Sequence, residues 1–545
     1  MELFNRNQEI KKETKKKNRI VSRGEWRFIG VVIAILLVLI SLPYLYGFLN
    51  TPDHLEYSGL HAINTGDTYV YYSYLEQVKQ GHWLFDNLYT SEDQSRNILD
   101  IFWLTLGLVG KLFNLSNSFV LYLFRIILAP LLVIASYYLI AHFFTNARLR
   151  KVCLLILTFS SGLGAYLAPI LEPYVYVVGG YYHWPMDFWV AGAYNFLSAY
   201  VSPHFVFSNT LIIIIFLLIL NAFQYNKVKY SLGAGLSALI LFEFHPYHLP
   251  TIFSILVVYL TISFIKNREI DWHKIKHCFI LSLISLPSIV YHFLMVQYDW
   301  VTAQHMIVNV LLTPAFWLIL ISYGLLIPLA LFGIYYLLKR KKIFEEKNLF
   351  LITWLVVQFI LIYSPIPYQR KLTQGLQVPL VILSVWGLCL IYRFLKAKLS
   401  PKIFNLWINN RLALIFLFVL LFCFTNIINL ARDFSHYYYR FPSSHYYTQN
   451  EFKAVKWLKI SSKKGDIILA GTHYGNFLPG LIGRPVFSGH GHETVFYKAK
   501  APLVKWFFRD NQQDEQKAGF LREWDISYLF YSLREKNLGE FNPEE

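Results

Sequence analysis

Long apolar runs alternate with short polar blocks along most of the chain. Runs near residues 26–49, 119–144, 152–171, 204–225, 231–244, 249–265, 277–297, 316–338, 349–364, 375–393 and 411–430 approach or reach the length at which a helix crosses a bilayer, about 20 residues. This spacing predicts an all-α polytopic membrane bundle of about eleven transmembrane helices. The first run is too long for the core of a cleavable leader and lacks a small-residue cleavage pattern, so it reads as a retained anchor.

Charge orients the runs. Lys11, Lys12, Lys15, Lys16, Lys17, Arg19, Arg23 and Arg27 precede or open the first, which places the N-terminal tail, residues 1–25, in the cytoplasm. Residues 51–98 then form a polar external loop with seven acids and only Lys79 and Arg96 as bases. The apolar stretch 98–113 is short for a span. Crossing there would put Arg148, Arg150 and Lys151 outside, so it is expected to be a juxtamembrane helix within the external loop, residues 51–118. Lys227, Lys229, Lys266, Arg268, Lys274, Lys276 and the run Lys339-Arg340-Lys341-Lys342 then all fall inside. The transmembrane module covers 26–431.

Residues 432–545 differ in pattern. Helices near 450–460 and 495–508 and short strands near 467–470, 485–487 and 526–531 predict a small C-terminal extracytoplasmic α/β domain. A multi-pass plasma-membrane protein with a cytoplasmic N-terminus follows.

Composition agrees. The chain is 55% hydrophobic and 15% charged, where soluble domains run near 45–50% and about 25%. The net charge of +17 would suggest nucleic acid in a soluble protein. Here the bases occupy the short loops between spans, and no nucleic-acid-reading motif is present. Cys153, Cys278, Cys389 and Cys423 lie in or beside apolar runs without a CxxC pair, which argues against a disulfide framework and a zinc site.

Four places carry candidate chemistry. The external segment Tyr368-Gln369-Arg370-Lys371 sets two cations on the outer face, suited to a lipid phosphate; headgroup snorkelling is the plainer alternative. In the first loop, Asp67 opens an expected helix over 67–80, closed by Gly81, either as its N-cap or as a carboxylate facing a cavity, able to take a proton. His183, Asp187 and Trp189 in the next loop, with His204, suit sugar binding or an interfacial aromatic belt. Glu243, His245 and His248 close an apolar hairpin, as a site or as polar groups satisfied within the bundle; the two histidines make only a weak zinc pattern. In the tail, 489–494 (GHGHET) reads as a turn and helix start. No nucleotide-loop, metalloprotease or hydrolase-elbow motif occurs.

The run GDTYVYYSYLEQVKQGHWLFDNLYTSE (66–92), with SSGLGAY (160–166), MDFWVAGAYNFLSAYVSPHF (186–205), EFHPYH (243–248) and GRPVFSGHGHET (483–494), resembles the GT-C superfamily of membrane glycosyltransferases, in the branch of mannosyltransferase-like, lipid-A-type and protein-O-mannosyl transferases. The resemblance implies a GT-C-like module and a polyprenyl-phosphate-linked sugar donor. It implies an acidic residue of the first external loop, here Asp67, as the catalytic base, with inversion at the anomeric carbon. Arg370 and Lys371 would meet the lipid phosphate, with Gln369 and Tyr368 beside them; His183, Asp187, Trp189, His204, Glu243, His245 and His248 are the substrate-binding candidates. Some members carry two adjacent acids where this chain has Asp67-Thr68, so a divalent cation, magnesium or manganese, stays open as a cofactor and no metal ligands are assigned. The acceptor is a glycan, lipid or protein, the other partners are membrane lipids, and nucleic acid is not one. A lipid-linked glycan transporter or flippase, or a non-catalytic GT-C-like scaffold, are the alternatives.

Overall fold

The computed structural model describes residues 21–439, 445–509 and 514–543. Lys11 to Arg19 of the basic tail fall outside them. Each of the eleven apolar runs is helical. Eight helices are long and apolar enough to cross a membrane: Arg23–Leu49, Asn117–Phe143, Ala147–Tyr174, Pro203–Tyr225, Pro246–Asn267, Trp272–Tyr298, Gln369–Lys398 and Arg411–Tyr438. The pair Phe316–Tyr323 and Leu326–Lys339, bent by 83°, brings the number to nine if it is one span. The remaining two runs are the helices Val228–Phe244 and Glu346–Leu361, of 17 and 16 residues. The chain is a multi-pass membrane protein.

The bend has a local cause. Gly324 has φ +50, and a Cβ there would lie 2.8 Å from Leu163 Cγ. Only glycine takes that conformation and that contact together.

Contacts divide the chain into two compact units. The first comprises residues up to Ser41, Arg125–Leu286 and Leu311–Leu430. In it the helices Leu326–Lys339 and Gln377–Lys398 cross at Gly333 and Gly387, where an added Cβ would stand 2.0 Å from a backbone oxygen of the other helix. Small residues at such crossings let backbones meet where lipid offers no hydrophobic drive. Glu25 opens the first helix and is buried against Arg150 at 3.1 Å, while Tyr137 donates to it at 2.5 Å.

The second unit comprises Leu42–Phe124, Pro287–Val310 and the residues from Ala431 onward, so the tail packs together with the first polar loop. Leu55–Tyr57 pairs antiparallel with Tyr446–Thr448. The first-loop helix, Thr65–Lys79, lies on the tail helix Thr472–Ile482, where a Cβ on Gly480 would come 2.5 Å from Tyr69 O. Glu76 ties the same helix to the tail through Lys459 at 2.6 Å. The juxtamembrane stretch is the helix Ile101–Leu112. Its 12 residues rise about 18 Å, well short of a hydrocarbon core about 30 Å thick.

Within the tail, Ile467–Leu469 runs parallel to Ile526–Leu529, and Val486 bridges Ile468. Leu469, Phe487, Val504, Phe507, Phe508 and Phe520 form the core beneath them. Phe508→Ala is expected to lower stability by about 3–5 kcal/mol, because the cavity adds to the lost burial; a thermal melt in detergent reads the change.

Candidate functional site

Asp67 lies in the first turn of the first-loop helix, which starts two residues earlier than the sequence pattern suggests. The N-cap is Asn64, in the left-handed region at φ 55. The capping reading of Asp67 is thereby removed, and its carboxylate is available for something else. Gln80 ends the helix and Gly81 follows at φ +97, the position that glycine favours after a helix.

The partner of Asp67 comes from 423 residues downstream: His490 Nε2 stands 3.0 Å from Asp67 Oδ1. The His492 backbone N–H donates to His490 Nδ1 at 3.3 Å, so in the neutral ring the proton sits on Nε2, facing Asp67. Burial by itself pushes the Asp67 carboxyl up, but the hydrogen bond and charge of His490 outweigh it and hold the carboxyl below its ordinary value. For His490 burial acts downward, and Asp67 overcomes it and raises the imidazole. The Asp67 side chain keeps 42% of its surface exposed, so the pair opens to solvent from the carboxylate side.

Residues 489–494 form a turn only; the helix that follows begins at Tyr497. Gly489 N–H donates to Thr494 Oγ1 at 3.0 Å, and Thr494 Oγ1 donates to Tyr89 O at 2.8 Å. Three glycines bring the parts into register. A Cβ on Gly66 would lie 3.2 Å from His490 Cδ2, one on Gly475 2.2 Å from Ser488 O, and one on Gly489 2.2 Å from Gly475 O. Gly489→Ala is therefore expected to cost about 1–3 kcal/mol of stability, as overpacking does, and to disturb the Asp67–His490 pair; the melting temperature and the pH profile of activity read both effects.

A second acid–imidazole pair borders the first: Glu493 Oε1 is 3.3 Å from His305 Nε2, on the helix Trp300–Val308. The Tyr89 hydroxyl is buried without a hydrogen-bond partner among the described residues, with its ring 6.1 Å from His490. Sequence reasoning missed His305 and gave His490 no role. The glycine–histidine density of 489–494 was the one available signal.

The first unit gathers most of the remaining candidates. Arg370 stacks over Trp189 at 4.3 Å, and Lys371 lies over Tyr247 at 4.9 Å. The His204 and His245 rings meet at 5.3 Å, and those of His245 and His248 at 5.9 Å. His248 Nε2 is 2.9 Å from Gln374 Oε1, and Gln374 Nε2 also donates to Phe205 O at 3.1 Å. Gln358 donates to Leu372 O and Gln374 O, both at 2.7 Å, holding the cation-bearing turn Gln369–Thr373 from beneath. Trp189 Nε1, His245 Nδ1 and His248 Nδ1 are buried without hydrogen-bond partners among the described residues. These buried nitrogens leave bonding capacity that water or a polar ligand can satisfy. Gln369 instead braces its own loop, donating to Ser364 O at 2.7 Å and accepting from Thr313 N at 3.2 Å; Tyr368 is half-buried beside it.

The other three expected residues are His183, Glu243 and Asp187. His183 stacks on Tyr176 at 4.6 Å in an aromatic depression. Glu243 is buried at the end of its helix. Asp187 has no exposed surface, and its Oδ2 accepts from the N–H groups of Gly162 at 3.1 Å and Gly164 at 3.0 Å. It braces a turn, while its Oδ1 is buried without a hydrogen-bond partner among the described residues. Burial pushes its carboxyl up to about 7. A raised folded value means that the folded state holds the proton more tightly, so this group erodes stability as pH rises from 3.8 to about 7. Asp187→Asn is expected to flatten that part of the melting-temperature profile, measured against wild type.

Among the described residues no three His, Cys, Asp or Glu side chains converge as an ion cradle. Asp67 is engaged by His490 and Glu493 by His305.

No family model and no curated protein sequence matches the chain. Solved structures do. Archaeoglobus fulgidus oligosaccharyltransferase, tethered with an acceptor peptide containing the NVT sequon, aligns at TM-score 0.56 and 11% identity, over 93% of this chain and 69% of that one. The same enzyme, AglB, with an inhibitory peptide and a dolichol-phosphate aligns at 0.56 and 12%, over 93% and 70%. Its complex with Zn and sulfate aligns at 0.51 and 12%, over 91% and 67%. Across nearly its whole length, this chain shares the fold of an archaeal oligosaccharyltransferase.

Proposed function

We propose that this chain is a membrane glycosyltransferase that moves a sugar from a polyprenyl-phosphate-linked donor to an extracytoplasmic acceptor, with inversion. The observation that carries the reading is the Asp67 carboxylate, kept charged by His490 and open on one side, in a chain with the oligosaccharyltransferase fold. The acceptor nucleophile attacks the anomeric carbon. The bond from that carbon to the phosphate oxygen breaks with its electron pair on the phosphate, and the acceptor's proton passes to Asp67. Arg370 and Lys371 meet the charge of the departing lipid phosphate, in the way that fixed cations stabilise such leaving groups. His490 is a positioning residue: it orients the carboxylate and keeps it ionised. Neighbouring structures of this fold hold an acceptor peptide and a dolichol-phosphate, which supports a lipid-phosphate donor here. The reading takes the tail from 432 onward to be extracytoplasmic and residues 1–25 to be cytoplasmic, with mannosyltransferase-like chemistry at the site.

Proteoliposomes of the purified chain, given polyprenyl-phosphate carrying a radiolabelled hexose and an envelope extract as acceptor, provide the test. Label leaving the prenyl fraction and entering the acceptor is the expected result. Label that crosses the bilayer still attached to its lipid would instead identify a transporter, and label that does neither would identify a scaffold.

A further inference from the structure

Beyond the Arg370 cluster, the first unit carries a feature that sugar transfer does not use. The span Ala147–Tyr174 is followed after two residues by a short antiparallel hairpin, Val177–Val178 with Tyr181–Tyr182, turning at Gly179 and Gly180. Both glycines have positive φ, +53 and +83, which gives the tight hairpin turn its hand. The turn thrusts Val177 and Val178 outward, 67% and 68% exposed, and Tyr174 and Tyr176 are exposed beside them. Between residues 172 and 203 there is no Lys or Arg.

The position of the hairpin is pinned twice. From Tyr174 the chain can reach Val178 over at most about 14 Å when fully extended. On its other side Leu312 N–H donates to Gly180 O at 3.0 Å, and Ala315 N–H donates to Tyr181 Oη at 3.0 Å. Ala315 immediately precedes the apolar helix Phe316–Tyr323. The hairpin is thus tied to the ends of two membrane helices, with Trp317 edge-on to His183 at 5.2 Å between them. A paired, aromatic-flanked valine tip held at that level, and carrying no base, matches the bilayer interface, where Tyr and Trp gather and apolar groups enter the acyl boundary.

We propose that the hairpin Val177–Tyr182 is a membrane-insertion element, its tip seated in the lipid at the end of the span that closes at Tyr174. Hydrophobic insertion makes the seating indifferent to salt and to anionic lipid, since no cation takes part. The proposal is independent of the reaction at Asp67 and stands or falls without it.

A nitroxide on Val178→Cys, in a chain whose four native cysteines are serine, tests it in phosphatidylcholine nanodiscs. The ratio of oxygen to nickel-chelate collisions is expected to rise to the level of Val38→Cys in the first span and to leave that of the exposed tail site Lys464→Cys far below. A water-like ratio, or shielding from both reagents, overturns the proposal, the second because protein would be covering the tip. Should the cysteine-free chain not fold, benzoylphenylalanine at position 178 of the otherwise native chain serves in its place. Phospholipid adducts by mass spectrometry are then expected; adducts to protein, or none, overturn the proposal.

Discussion

Asp67→Asn is expected to slow sugar transfer by about 10²–10⁴-fold, the span over which a positioned proton acceptor contributes, with a modest fall in melting temperature from loss of the pair with His490. The substitution keeps the shape and keeps an oxygen facing His490. It removes the charge and the capacity to take the acceptor's proton. A carboxylate held below its ordinary value is a weak base in the ground state. It is therefore expected to accept the proton late, as the new bond forms, and to oppose the positive charge that builds at the anomeric carbon meanwhile. His490→Ala separates positioning from chemistry. Without the imidazole, burial and the Glu493 charge push the Asp67 carboxyl up, with His492 acting against them. The acid limb of the pH–rate profile is then expected to move to higher pH, and His490→Gln, whose amide can still donate, to restore part of the shift. A merely structural histidine would lower activity without moving that limb. Stability follows the same pair with opposite signs. Asp67 contributes above 3.8, and its share is lost as pH falls through its lowered folded value. His490 contributes fully below 6.5, and its share is lost as pH rises through its raised folded value.

The helices were legible in the sequence because bilayer-length apolar runs report on the solvent around them. Arg150, whose charge helped to set the threading, proved to be buried against Glu25, so its position has a packing cause as well as a topological one. The 12-residue helix Ile101–Leu112 followed from length and charge alone. Asp67 and Arg370 stood out because each breaks a local pattern. What joins them to partners did not stand out. His490 meets Asp67 across 423 residues, and His305 meets Glu493 through a helix with no pattern of its own. Neither contact leaves a periodic trace. Asp187 shows a role the sequence did not signal: its carboxylate satisfies two buried backbone N–H groups.

Arg370→Ala is expected to lower kcat/KM for the lipid-linked donor by about 10²–10³-fold, the scale on which one preorganised electrostatic contact to a developing charge acts. Its planar fork is stacked 4.3 Å over Trp189, which fixes the guanidinium plane before any phosphate arrives. Lysine cannot reproduce either the stack or a two-point contact with phosphate oxygens, so Arg370→Lys is expected to recover only a small part of the loss. Trp189→Ala leaves the charge but frees the plane; a cation–π contact of about 1 kcal/mol sets its cost near five-fold. Lys371→Ala is expected to fall between the two, since a point charge over Tyr247 neutralises phosphate without orienting it. The division between KM and kcat decides what Arg370 does. A clamp on the leaving phosphate lowers kcat, because its bond strengthens as charge develops; a simple donor-docking cation raises KM alone. If donor titrations in proteoliposomes show Arg370→Ala unchanged in both, the side chain is only snorkelling to the headgroups, and the phosphate site must be sought elsewhere on the chain.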